Sequence, residues 1–540
     1  MRDPSSRERL IEFAVAALMI LPLLAVFVSS FGGGTGEIME RWSPLFAAFS
    51  RSMMVGAGAV GIALLIGLPA GWVLARSERP LWLLVLIALP LALPASVTVS
   101  GWVGLLAAPG VASRFRGLPG LGAQSPGALF SIPGAALVLG SALWPVVAFE
   151  TWPAFRRARN ESFLAALLAS SRWRVFAQIV LPQVRGELIA AALLTFILAS
   201  SDFSVCSLLL VRTLPIEIHD ALVLGHRTQA AWLALPLLVT SGVLGVTLFR
   251  LARTHSVAAS GDAIFTPPLR LGKHLLKGRG AEAMIALGIA LGFAIPMTVC
   301  LVQAVRGEKP LWTSSGSGVL SAGSDALGVS LRLAGAAALL ALLCSILRLL
   351  IWPDSRTRFL NLTALFLLAV PGSFLAAALL EVQLGARPWA ENFGLSRLWP
   401  AAVLICGMLL RFLYLPLRLI EEGLAGLDPD LLDAARLSGH GRFARGLAIT
   451  VPLLGAHLAA GCALVFILVL GEVPISATVP PPGIVPATVW LFQQQHLGYD
   501  EAVFGLSLLL GAVSTLVLLI AGGLAALITR WTDRRAELPV

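Results

Sequence analysis

Two carboxylates stand in otherwise apolar surroundings. Asp202 follows the run Phe196-Ile197-Leu198, and Glu472 follows Phe466-Ile467-Leu468 at the same spacing. Ionisable groups inside a bilayer are costly and face protein or water rather than lipid. The pair has the chemistry to take part in a gate, to bond a neighbouring helix, or to meet a cationic solute. Hydrogen bonding between helices is the plainer role, given the modest worth of such bonds. Pro94 and Pro371 join them as pathway candidates. With Pro90 they fall inside apolar segments, where proline frees a backbone carbonyl and bends a helix, although an ordinary packing kink explains them as well.

The patterns of catalysis are missing. A phosphate-binding loop needs Lys followed by Ser or Thr, and the three lysines, Lys273, Lys277 and Lys309, precede His274, Gly278 and Pro310. No HExxH pair is present, nor an acidic cluster suited to hold Mg²⁺ against a diphosphate. The cysteines Cys206, Cys300, Cys344, Cys406 and Cys462 are odd in number and none has Cys-x-x-Cys spacing. No disulfide framework or zinc site follows, and they read as small buried hydrophobes. The expectation is a chain that is not an enzyme and binds no metal or cofactor. An intramembrane transferase would need a polar cluster that these segments lack.

The elements that must position such residues are membrane helices. Of 540 residues, 57% are hydrophobic and 13% charged, against roughly 25% charged in soluble domains; mean hydropathy is +0.88. The apolar runs are long enough for a hydrocarbon core of roughly 30 Å, and uninterrupted stretches such as Ala334 to Leu343 are not the alternation of a barrel. The fold class is an all-α polytopic membrane protein with about 12 transmembrane helices. They are expected near 10–31, 53–75, 81–107, 132–150, 186–210, 231–251, 282–304, 327–351, 358–381, 399–418, 454–475 and 502–528. Arg2, Arg7 and Arg9 resemble the start of a signal peptide, but no small-residue cleavage site follows Val26-Phe27-Val28, so the first span reads as a retained anchor.

With both termini placed in the cytoplasm, more than two thirds of the 39 lysines and arginines fall on inner flanks, as the positive-inside rule requires. The net charge of +10 is therefore topological and does not mark a nucleic-acid surface. Leu93-Pro94-Ala95-Ser96 parallels Val370-Pro371-Gly372-Ser373. Together with the Phe-Ile-Leu segments, this predicts two repeats of one topology. They are expected at 1–252 and 281–540, joined by a breaker-rich cytoplasmic linker at 253–280.

A loop at 433–452 carries Asp433-Ala434-Ala435-Arg436-Leu437-Ser438-Gly439, then Ile449 and Val451-Pro452. Asp433 suits a helix start, Ala434 and Ala435 admit a close backbone, and Gly439 suits a turn between two helices. Pro452 suits a first helical turn. The matching loop at 161–182 keeps Ala165, Ile179, Leu181 and Pro182, while Phe163 and Ala169 replace the acid and the glycine. A plain interfacial helix on lipid headgroups is the alternative.

The spacing resembles the Glu-Ala-Ala-X3-Gly-X9-Ile-X-Leu-Pro loop of ABC importer permeases. The chain as a whole resembles the fused permeases of ferric-iron, thiamine and phosphonate importers, in which two six-span halves form one polypeptide. The resemblance implies an inner (cytoplasmic) membrane permease of a bacterium working by alternating access. Its partners would be a homodimer of ATPase subunits, which carry ATP-Mg, and an extracytoplasmic solute-binding protein. In that family the loop forms a short helix on which the ATPase acts, expected here near 165–178 and 435–447. The run Pro481-Pro482-Gly483, Thr488, Trp490 and His496 resembles one in ferric-iron permeases, making ferric iron the first expectation for cargo; thiamine, phosphonates, polyamines and anions stay open. A secondary transporter with duplicated halves is the rival reading. It would need no paired cytoplasmic motifs and would carry more buried ionisable groups.

Overall fold

The computed structural model describes residues 6–31, 42–77, 80–107, 128–168, 174, 176–256, 279–306, 314–352, 357–427, 430, 433–434, 437, 439, 441–498 and 501–536. Every regular element among them is helical, as a chain with no water for its backbone polar groups requires. The first half contains α1 (Ser6–Phe31), α2 (Trp42–Leu74), α3 (Pro80–Ala92), α4 (Ala95–Ala107), α5 (Ile132–Leu168), α6 (Leu181–Ser200), α7 (Ser204–Leu208), α8 (Leu214–Val223) and α9 (Arg227–Ser256). The second opens with α10 (Arg279–Ile289), α11 (Ile295–Arg306), α12 (Ser314–Ile351), α13 (Arg358–Ala369), α14 (Gly372–Gly385), α15 (Arg387–Asn392), α16 (Trp399–Phe412) and α17 (Tyr414–Ala425). It closes with α18 (Arg442–Arg445), α19 (Val451–Leu453), α20 (Gly455–Leu470), α21 (Pro474–Thr478), α22 (Ala487–Leu497) and α23 (Glu501–Ala536).

Among the described residues seven helices are long and apolar enough to cross a membrane, and up to 11 spans result when each of four bent helix pairs is taken as one. The bends are 76° between α3 and α4, 107° between α13 and α14, 45° between α16 and α17, and 75° between the Phe443–Leu453 segment and α20. The expectation that Pro94 and Pro371 lie inside spans and kink them is not met. They sit in the gaps between α3 and α4 and between α13 and α14, where no i–4 carbonyl has to be abandoned.

Other boundaries move as well. The span expected to run to residue 210 stops at Ser200, and the span expected to stop at residue 150 continues to Leu168. α9 runs to Ser256, past the start of the expected linker, of which 257–278 lie outside the described residues.

Three five-residue π turns occur among the described residues, Phe176–Val180, Ala290–Ala294 and Gly446–Thr450. Each ends one residue before an X-Pro pair: Leu181-Pro182, Ile295-Pro296 and Val451-Pro452. A helical proline has no N–H for the i–4 carbonyl and its ring strikes that carbonyl; widening the preceding turn accommodates both defects. Pro182 and Pro452 therefore lie within continuing helical backbone, not at the start of a fresh helix.

The halves interleave. α1 and α9 pack on the broken pair α13–α14, while α10, α11 and α23 pack on α3–α4. Arg227 of α9 is ion-paired to Glu381 of α14. A broken span has two short pieces and two exposed ends, and wrapping it in helices from the opposite half encloses both. Within each half a serine of a long helix accepts the first N–H of an outer helix: Ser52 from Leu214 at 2.9 Å, and Ser330 from Ala487 at 2.8 Å. The burial gradient follows. In Ile132–Ala158 61% of the most apolar stretch is buried, against 28% in Gly280–Val305, so α5 is interior and α10–α11 face lipid.

Small residues permit the close crossings, as at other membrane helix interfaces. A Cβ on Gly101 of α4 would lie 2.2 Å from Pro296 Cα of α11, whereas one on Gly335 of α12 meets nothing within 4 Å. Gly101→Ala is expected to cost about 1–3 kcal/mol by overpacking, and Gly335→Ala to be neutral or to stabilise by up to about 1 kcal/mol. Thermal unfolding of the two purified variants in detergent checks the contrast.

Candidate functional site

Three helix breaks meet around a cavity of about 180 Å³. Its wall includes Pro90 to Ala95 and Thr98 from the α3–α4 break, Ser201 to Val205 from the α6–α7 break, and Gly471, Glu472 and Pro474 from the α20–α21 break. Val138, Leu139, Ala142 and Leu143 of α5, Leu198 of α6, Arg411 and Phe412 of α16, and Ile467 and Leu468 of α20 complete it. Both halves contribute, so the cavity lies at their shared interface.

The two carboxylates have the same local role. Asp202 Oδ1 accepts the Val205 N–H at 2.8 Å, and Glu472 Oε1 accepts the Ile475 N–H at 3.4 Å. Each answers an orphan donor at the start of a short helix, α7 or α21, as an N-terminal acid does. They do not sit within continuous spans, because the chain breaks there. Of the four pathway candidates, Asp202, Glu472 and Pro94 share the cavity; Pro371 is absent from its lining, although Val370 O beside it receives Arg411 Nη1 at 3.4 Å.

Arg411 was not singled out from the sequence, where an arginine at the end of an apolar run reads as a flanking charge. α16 is followed directly by α17 across a 45° bend, so the guanidinium lies in the cavity wall, 3.8 Å from Glu472 Oε1. An arginine inside Leu409-Leu410-Arg411-Phe412-Leu413 was the available signal. A second polar group also went unseen. Gln495 Nε2 of α22 donates to Ser96 O at 2.9 Å and bonds Ser100 Oγ, which also receives Ser507 Oγ at 3.1 Å. This buried network ties α4 to α22 and α23 across the halves, and single serines gave no sign of it. Thr488 is buried and donates to Glu472 O at 3.3 Å, a structural bond. His496 lies in α22 and not in a loop, its Nδ1 2.8 Å from Phe492 O.

Towards the loops, Arg418 Nη2 of α17 lies 3.6 Å from Glu150 Oε2 of α5, and Arg418 Nε lies 2.8 Å from Glu422 Oε1. In the first loop Ala165 belongs to the last turn of α5, a continuation of the long helix rather than a separate one. Ile179 lies in a π turn that continues without a break through Leu181 and Pro182 into α6; Ala169 falls outside the described residues. In the second loop Asp433, Ala434 and Leu437 are helical, and Ala435 is outside the described residues. Gly439 has φ +74°, so the helix expected over 435–447 is interrupted there before resuming at Arg442. Ile449 lies in a π turn and Pro452 in α19. The residues Ile179, Leu181 and Pro182 match Ile449, Val451 and Pro452 in burial as in order: half-buried, half-buried, exposed. Large apolar side chains project from the second loop, Leu437 at 87% exposure and Phe443 at 62%.

The cap geometry yields a direct test. Asp202→Ala is expected to cost about 1 kcal/mol, while Asp202→Asn keeps an acceptor and stays near the parent; thermal unfolding of both variants would expose a charge role if Asn behaved like Ala.

No family model matches the chain. It is similar to the sulfate transport system permease protein CysW of Escherichia coli (strain K12), 26% identical over 254 residues that make up 44% of this chain and 84% of the relative. The protein of the same name from Synechocystis sp. is 27% identical over 256 residues, 44% of this chain and 87% of the relative.

Proposed function

We propose that this chain is a membrane permease of a binding-protein-dependent ABC importer, with two permease repeats in one polypeptide. The similarity to the sulfate permeases supports an importer permease in a bacterial inner membrane, a transport subunit rather than an enzyme. Less than half of this chain accounts for most of each relative, which is the proportion a two-repeat chain would have. The single observation that carries the reading is the paired approach to the loops: in both halves a π turn and a proline lead from the loop into a helix that ends at a capped break in the cavity wall. A force applied at the first loop reaches the cavity along α6; at the second it crosses the 75° bend between the Phe443–Leu453 segment and α20.

Energy would come from two ATPase subunits drawn together by ATP, and an extracytoplasmic solute-binding protein would deliver the cargo. The relatives are named for sulfate and lend no support to ferric iron, so a small oxyanion is the cargo we favour. The termini would lie in the cytoplasm, on the side of the loops.

The second loop offers the ATPase an apolar handle, Leu437 and Phe443, beside a left-handed turn at Gly439. A β-branched residue at Gly439 is strained by its φ and not by crowding, since a Cβ there meets nothing within 4 Å. Gly439→Val is expected to leave membrane insertion intact and to abolish uptake together with solute-stimulated ATP hydrolysis. Leu437→Asp with Phe443→Asp should remove the ATPase subunit from a pull-down of the full chain. Normal transport in the first variant, and normal co-purification in the second, would count against the coupling role.

A further inference from the structure

We propose that Arg411 is the cargo-contacting group of the central cavity and that it selects a small oxyanion; this rests on the permease reading above and specifies its cargo. The guanidinium has five N–H donors in a rigid fork, and its side chain is only 14% exposed. Among the described residues its oxygen contacts are Val370 O at 3.4 Å and Glu472 Oε1 at 3.8 Å. Charge-assisted N–H···O bonds close to about 2.7–2.9 Å, so neither contact saturates the group. A half-buried guanidinium in a cavity wall, with its donors so loosely engaged, offers a place for an acceptor that arrives from elsewhere.

The surroundings are built for it. Gly372, at the start of α14, leaves the guanidinium its room: a Cβ there would stand 2.5 Å from Nη1. Thr98 lines the same cavity, and its buried hydroxyl has no hydrogen-bond partner. The cavity holds about 180 Å³, many times the roughly 10–15 Å³ that a single water needs on the same measure. That is room for a small tetrahedral anion.

Two carboxylates share this wall, and their effect on an anion is unfavourable. Asp202 and Glu472 each already accept a backbone N–H, at 2.8 and 3.4 Å, which places part of their charge on a helix start. An entering oxyanion competes with Glu472 for Arg411 and so binds weakly. Weak binding suits a conduit that must release what it admits.

The test uses sulfate itself on the purified full chain in lipid nanodiscs, reading the thermal shift against chloride at equal ionic strength. Uptake of labelled sulfate by cells that express the chain with its ATPase and binding protein supplies the second readout. Arg411→Gln is expected to raise the sulfate midpoint by about tenfold or more and to lower uptake correspondingly. Arg411→Lys should recover part of the loss, a graded result that general misfolding does not give. Gly372→Ala, which displaces the guanidinium without changing charge, should weaken sulfate in the same direction.

A parent-like midpoint in Arg411→Gln overturns the assignment and leaves the permease reading standing. Absence of a sulfate-specific shift in the parent chain, with the ATPase subunit still co-purifying, overturns the oxyanion class alone. Failure of any ATPase to co-purify overturns the permease reading, while a shift lost in Arg411→Gln would still uphold the subsite.

Discussion

The structure turns on where interrupted backbone can be placed in a bilayer. A break in a membrane helix exposes donors and acceptors that lipid cannot satisfy, at several kcal/mol for each unsatisfied group. Such breaks are tolerated only against protein or a cavity. Here the α3–α4, α6–α7 and α20–α21 breaks face one another around a common space, and the α13–α14 break reaches it through Arg411 and Val370. The acids and the interleaved packing follow from that constraint. Asp202 and Glu472 answer helix starts, and helices of the opposite half wrap the short pieces.

Membrane class and most span positions were legible because apolar length and charge sidedness depend on composition alone. Asp202 and Glu472 were legible as special because charge in an apolar run is rare, but their partners were not. Whether a carboxylate caps a helix or faces a solute depends on where the chain breaks, and Ser201-Asp202-Phe203 contains no proline or glycine to announce a break. Pro94 and Pro371 did announce theirs. Arg411 was misplaced because an arginine at the end of an apolar run looks the same whether the helix stops or bends. The π turns were hidden too, since X-Pro reads as a helix start when only the sequence is considered.

The two halves are alike in framework and unlike in charge. The capping acids, the serine-to-outer-helix bonds and the π-Pro entries recur in both. The guanidinium in the cavity comes from the second half, with no counterpart among the lining residues of the first. Arg418 likewise sits on α17 and reaches across to Glu150 while keeping Glu422 on its own helix. Such a cation retains a carboxylate neighbour whichever way the halves lie, which limits the cost of holding charge at depth.

α5 has one further consequence. Its 37 residues run from Ile132, past the cavity-lining Val138 and Leu143, to Ala165 and Leu168, about 55 Å in all at 1.5 Å per residue, well beyond the roughly 30 Å hydrocarbon thickness. The corresponding path in the second half passes through the joint at Leu413. A displacement at the first loop would travel along this continuous helix, softened where Pro145 and Pro153 interrupt its hydrogen-bond ladder, and at the second it would cross the elbow at Leu413. Equal displacements at the two loops would then reach the cavity unequally.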